Sequence, residues 1–127
     1  MSKSKRPTYS KYIGDFCTFV ANAQQDYNYH REEVGKMDKL TQDYLHDLES
    51  GRLNYRERAK LSTELARCRR VRRNSKDIVE ILTPLIEFCE SEKGRQAIYT
   101  LQGVLGKTRK IERNMNVRSY HYRVLNK

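Results

Sequence analysis

The side chains of this chain best suited to chemistry are cations, and the chemistry they offer is recognition of anions rather than the making of bonds. Ten lysines and arginines lie between Arg52 and Lys76, against two acids, Glu57 and Glu64. Successive residues on a helix are turned by about 100°. On that wheel Leu61, Cys68, Val71, Ile78 and Leu82 define a buried direction, and Arg58, Arg69, Arg73 and Lys76 point away from it. Arg67 and Arg72 flank the apolar seam, where they can pair with acids of a neighbouring helix, Glu32 and Glu33 being the expected partners. An exposed ion pair contributes only about 0–1 kcal/mol, so stability does not call for ten cations in this stretch. Two readings of the outward four stand side by side: a solvated, solubilising face, or a surface that meets a polyanion or an acidic protein.

A second cationic group lies near the C-terminus. Lys107, Arg109, Lys110, Arg113, Arg118 and Arg123 are interleaved with Tyr120 and Tyr122. Cations hold phosphates while aromatic rings stack on unpaired bases, which is the composition of a single-strand or RNA contact. The same rings, with Tyr9, Tyr12 and Tyr99, could instead anchor a C-terminal arm to the rest of the protein.

Motifs for catalysis and cofactors do not form. GVLGKT, Gly103 to Thr108, places a glycine before Lys-Thr, but a phosphate-binding loop needs another glycine where this chain has Leu101, and a strand ahead of it. No HExxH or GxSxG occurs. Cys17, Cys68 and Cys89 contain no CxxC and have no histidine at ligand spacing, so they read as buried free thiols. His30 falls on a helix seam. The expectation is a protein that is not an enzyme, with no cofactor, no metal and no small-molecule substrate.

The elements that position these cations follow from periodicity. From Ile13 an uninterrupted series advances in steps of three and four through Phe16, Val20, Ala23, Tyr27, His30, Val34, Met37, Thr41, Tyr44 and Leu48. Such spacing lines up one seam of a single helix, as in a coiled coil, and predicts helix one over 10–50, with Gly35 a place for a bend. Ser50 and Gly51 end it, and Asn54 with Glu57 has the form of a capping box for the next helix. Helix two is expected over 54–92, kinked or interrupted near Pro84. Helix three is expected over 95–114, after Gly94, with Ala97, Leu101, Val104, Thr108 and Ile111 inward and Ile98 and Leu105 at their flanks. Residues 1–9 read as a flexible basic N-terminus and residues 115–127 as a basic arm.

A short loop between two long amphipathic helices makes them antiparallel neighbours. The fold expected is therefore all-α, one domain over 1–127: a long antiparallel helical hairpin, with a third helix making a small three-helix bundle at its base and a basic C-terminal arm. Apolar residues make up 37% of the chain and charged ones 33%, so burial should follow narrow stripes. No apolar run approaches the ~20 residues of a membrane span, and the first ten residues have no apolar region after them, so a cytoplasmic location is expected. The net charge of +10 favours anionic partners.

In DKLTQDYLHDLESG, YRERAKLSTELARCRRVRR and LGKTRK the chain resembles small uncharacterised helical proteins encoded by phages and prophages of Gram-positive gut bacteria. That resemblance implies a mobile-element accessory protein that binds nucleic acid, or an inhibitor of host defence of the anti-CRISPR kind, which would bind a CRISPR nuclease or its guide-RNA complex. It carries over no site residues. A third expectation, from the long seam itself, is a helical assembly protein that associates with its own copies.

Overall fold

The structure, a computed structural model, describes residues 7–117 and residue 124. Three helices follow one another: α1 (Tyr9–Glu49), α2 (Tyr55–Glu90) and α3 (Glu92–Val117). At ~1.5 Å per residue α1 is about 60 Å long, and it runs through Gly35 without a break. At its end Ser50 donates its backbone N–H to His46, and Gly51 takes φ +72°, the left-handed conformation that lets the chain turn without a Cβ clash. Asn54 then caps α2, its side chain accepting from the Glu57 N–H at 2.8 Å.

The hairpin is held along the expected seam. Val20, Ala23 and Met37 are buried, and Ile13, Tyr27, His30, Val34, Thr41, Tyr44 and Leu48 are half-buried. Cys68 of α2 sits beneath α1, its thiol 3.3 Å from the Met37 carbonyl and 3.4 Å from the Thr41 hydroxyl. Ser75 meets His30 one stretch further along, so the helices run antiparallel. Phe16 departs from the expectation and is 48% exposed. Extending the His30–Ser75 register puts the last residue of α2, Glu90, level with Asp15, so the first turns of α1 lie beyond the end of their partner.

Pro84 does not stop α2, which is helical on both sides of it. Its missing N–H leaves the Glu80 carbonyl without a helical donor, but both residues are exposed and water can serve. The break comes instead at Ser91 alone, where ψ is 156°. The Ser91 hydroxyl donates to the Phe88 carbonyl at 2.6 Å and accepts the Gly94 N–H at 3.0 Å. Gly94, expected to separate the helices, belongs to the first turn of α3 and is buried there. A β-carbon on it would stand 1.7 Å from the Phe88 carbonyl oxygen, so only glycine lets the two helices join so tightly.

α3 packs on both other helices and runs opposite in sense to α1: Glu112 meets Ser10, Leu105 and Arg109 lie over Gly14, and Ile98 and Gln102 share a cavity with Cys17 and Val20. It extends three residues into the stretch expected to be a basic arm. Its inward face also differs from the expected one. Leu105 is buried and Ile98, Leu101, Thr108 and Glu112 are half-buried, whereas Ala97, Val104 and Ile111 are exposed. Two heptad stripes lie side by side on this helix, and the contacts at Ser10 and Gly14 select the one that contains Glu112.

Candidate functional site

Arg69, Arg73 and Lys76 line one open recess of about 600 Å³ on the hairpin, with Arg72, Asp77 and Glu80 of α2 and Asp38 and Thr41 of α1. The spacing 69, 73, 76 is one helix face, and the local sequence keeps this part of α2 helical because long-chain arginines lose little rotamer freedom there. Arg58 lies on the same face three turns earlier, its Nε donating to the Leu53 carbonyl at 3.3 Å. All four cations assigned to this surface are exposed.

Arg72 is the exception within the recess. It pairs with Asp38 across the seam, with both side chains part-exposed. The expected partners were Glu32 and Glu33, and Arg67 was expected to reach α1 as well. Arg67 instead pairs with Glu64 of its own helix at 3.4 Å. The register of the helices sets Arg72 level with Glu33 and Arg67 level with Asp38, so Arg72 reaches Asp38 diagonally along the seam, and Glu32 and Glu33 make no ion pair with a described residue. Arg69, Arg73 and Lys76 make no ion pair with any described residue. The recess still contains acids, and Asp77 and Glu80 close the cationic strip at its downstream end. From Arg69 to Lys76 the strip covers roughly 10 Å, comparable with three nucleotide steps at about 3.4 Å per strand.

The second group does not join the first. Arg109 lies over Gly14, where its Nη2 would stand 3.0 Å from an added β-carbon, while the cations of the recess begin at Lys76, level with about His30. Sixteen residues of α1 separate these levels, about 24 Å of helix. Lys107, Lys110 and Arg113 are exposed on α3. Arg118, Tyr120, Tyr122 and Arg123 lie outside the described residues.

Sequence reasoning missed the role of Glu112. The N-cap of α1, Thr8, makes no side-chain bond to the helix, and no acid lies in its first turn. Glu112 supplies both from α3, one carboxylate oxygen accepting the Ser10 backbone N–H at 3.2 Å and the other the Ser10 hydroxyl. These bonds, the side-chain one foremost, hold the Glu112 carboxyl below its ordinary pKa. No signal within either helix predicts a bond spanning 102 residues.

Among the described residues no three His, Cys, Asp or Glu side chains gather as a metal site, and no helix is long and apolar enough to cross a membrane. No protein-family model, curated protein or solved structure matches this chain.

Proposed function

We propose that this chain is a non-enzymatic binding protein that engages nucleic acid, alone or within a nucleoprotein complex, through phosphate contacts along the outer edge of α2. The observation that carries this reading is the exposed face of Arg58, Arg69, Arg73 and Lys76, of which the last three form no intramolecular ion pair with a described residue. Cations held on a rigid helix and already extended into water lose little on meeting a phosphate. Each phosphate they neutralise releases a condensed counterion. Base identity is not read by such contacts, so sequence preference should be low. The cations of α3 form a second, separate surface that a longer nucleic acid could reach.

Binding of a labelled duplex across about 50–200 mM salt tests the reading. Four phosphate contacts give a slope of log K against log salt near −3.6, taken as about −0.9 per contact. Charge reversal at Arg69 and Arg73 together should flatten that slope by close to two contacts and weaken binding to every sequence alike. Affinity that is insensitive to salt, or unchanged by this double reversal, removes the phosphate mechanism.

A further inference from the structure

The end of the molecule opposite Gly51 leaves an apolar surface uncovered. Because α2 stops level with Asp15, Tyr9 and Tyr12 have α3 on one side and no helix on the other, while Phe16 and Phe19 lie alongside the last turns of α2. Tyr9, Tyr12, Phe16 and Phe19 of α1 are 64%, 63%, 48% and 53% exposed, and Val104 and Ile111 of α3 are 42% and 55% exposed. They are not scattered. Phe16 and Phe19 have ring centroids 6.4 Å apart, and Tyr9, Thr108 and Ile111 border a single cleft between α1 and α3. On α1 the four aromatics form one stripe, at steps of three and four residues. On α3 Val104 and Ile111 are the heptad stripe that packing against α1 left outside.

We infer that this surface is the interface of a symmetric dimer, in which the α1–α3 end of one copy packs on the same end of another to make a four-helix layer. The occupant is argued from area and from charge. With aromatic side chains contributing roughly 150–250 Å² each, the exposed parts of these four rings alone come to about 450 Å². That is more than half of the ~800 Å² per partner that a stable interface buries, before the aliphatic pair and any polar rim are counted. A self-complementary patch of this kind suits a two-fold axis, where the same residues face one another. Of the charges at its edge, Lys11 pairs with Asp15 at 3.6 Å and Lys107 lies beside Val104 at the rim. The cations of the recess begin level with about His30, roughly 16 Å beyond Phe19 along α1 and beyond the ~8 Å screening length at physiological salt, so pairing at this end does not bring the two recesses into repulsion.

Sedimentation of the full chain at about 0.5 M salt tests this, because at that ionic strength repulsion between two copies of net charge +10 is screened while apolar burial persists. The expected result is a mass of two chains that falls to one on dilution. Phe16→Glu and Ile111→Glu should each lower the association constant by 100-fold or more, on the order of 2.8 kcal/mol at about 1.4 kcal/mol per tenfold, with helicity retained by circular dichroism. The Arg69→Glu, Arg73→Glu double variant should dimerise as the parent does, which separates this inference from the nucleic-acid reading. A monomer at every concentration, whether because the remaining chain covers the patch or because nothing does, overturns the inference. So does a dimer that ignores both glutamate substitutions.

Discussion

Ser75 of α2 and His30 of α1 share a hydrogen bond across the hairpin seam, with Oγ 2.8 Å from Nδ1. Ser75 is 1% exposed, and no buried side-chain nitrogen or oxygen among the described residues lacks a partner. The pair therefore satisfies two polar groups within the hairpin seam.

Removing either member should strand the other. Ser75→Ala and His30→Leu are each expected to cost about 1–2 kcal/mol, since a buried polar group without its bond bears its full desolvation penalty. Combined, they should cost less than their sum by at least about 0.5 kcal/mol. Urea denaturation of the four proteins of this cycle provides the check, and strictly additive losses would show that the bond contributes nothing.

Two glycines of α3 should respond with opposite sign to the same change. Gly94→Ala pushes a methyl group into the Phe88 carbonyl and should destabilise by at least about 2 kcal/mol. Gly103 has nothing within 4 Å of where a β-carbon would sit, so Gly103→Ala should stabilise by about 0.5–1 kcal/mol through helix propensity alone. Equal effects in a denaturant titration would contradict the tight joint at Ser91.

The Glu112 carboxylate has its pKa lowered in the folded protein, first by the Ser10 hydroxyl and then by the Ser10 backbone N–H. A group whose folded pKa is depressed contributes stability that is complete above its unfolded value, about 4.3 for glutamate, and that is lost as pH falls through the lowered folded value. Melting temperature should thus fall on acidification through that window more steeply for the parent than for Glu112→Gln. Parallel curves would mean that the bond to Ser10 does not form in solution.

Asp38 restrains one cation of the recess. The pair with Arg72 is part-exposed, the side chains 38% and 49% accessible, so its loss should cost under about 1 kcal/mol. Freed in Asp38→Asn, Arg72 should add one phosphate contact, tightening nucleic-acid binding and steepening the salt slope by about 0.9. An unchanged slope would place the bound phosphates away from this recess.

The steps of three and four from Ile13 to Leu48, the turn at Gly51, the cap at Asn54 and the outward direction of Arg58, Arg69, Arg73 and Lys76 were all legible in the chain. Each depends on one helix or one turn at a time: residue spacing sets the angle around a helix axis, and glycine is the residue that takes the left-handed φ of the turn. Periodicity alone cannot say which way a long side chain lies along the seam, and Arg72, level with Glu33, reaches to Asp38 instead. Nor can it choose between two apolar stripes only a few tens of degrees apart, as on α3. There the bond from Glu112 to Ser10 and the close approach at Gly14 turned Leu105 inward and left Val104 and Ile111 in solvent. The separation of the two basic groups along α1 likewise came from where α3 docks, because contacts between residues far apart in the chain leave no mark on the local pattern of either.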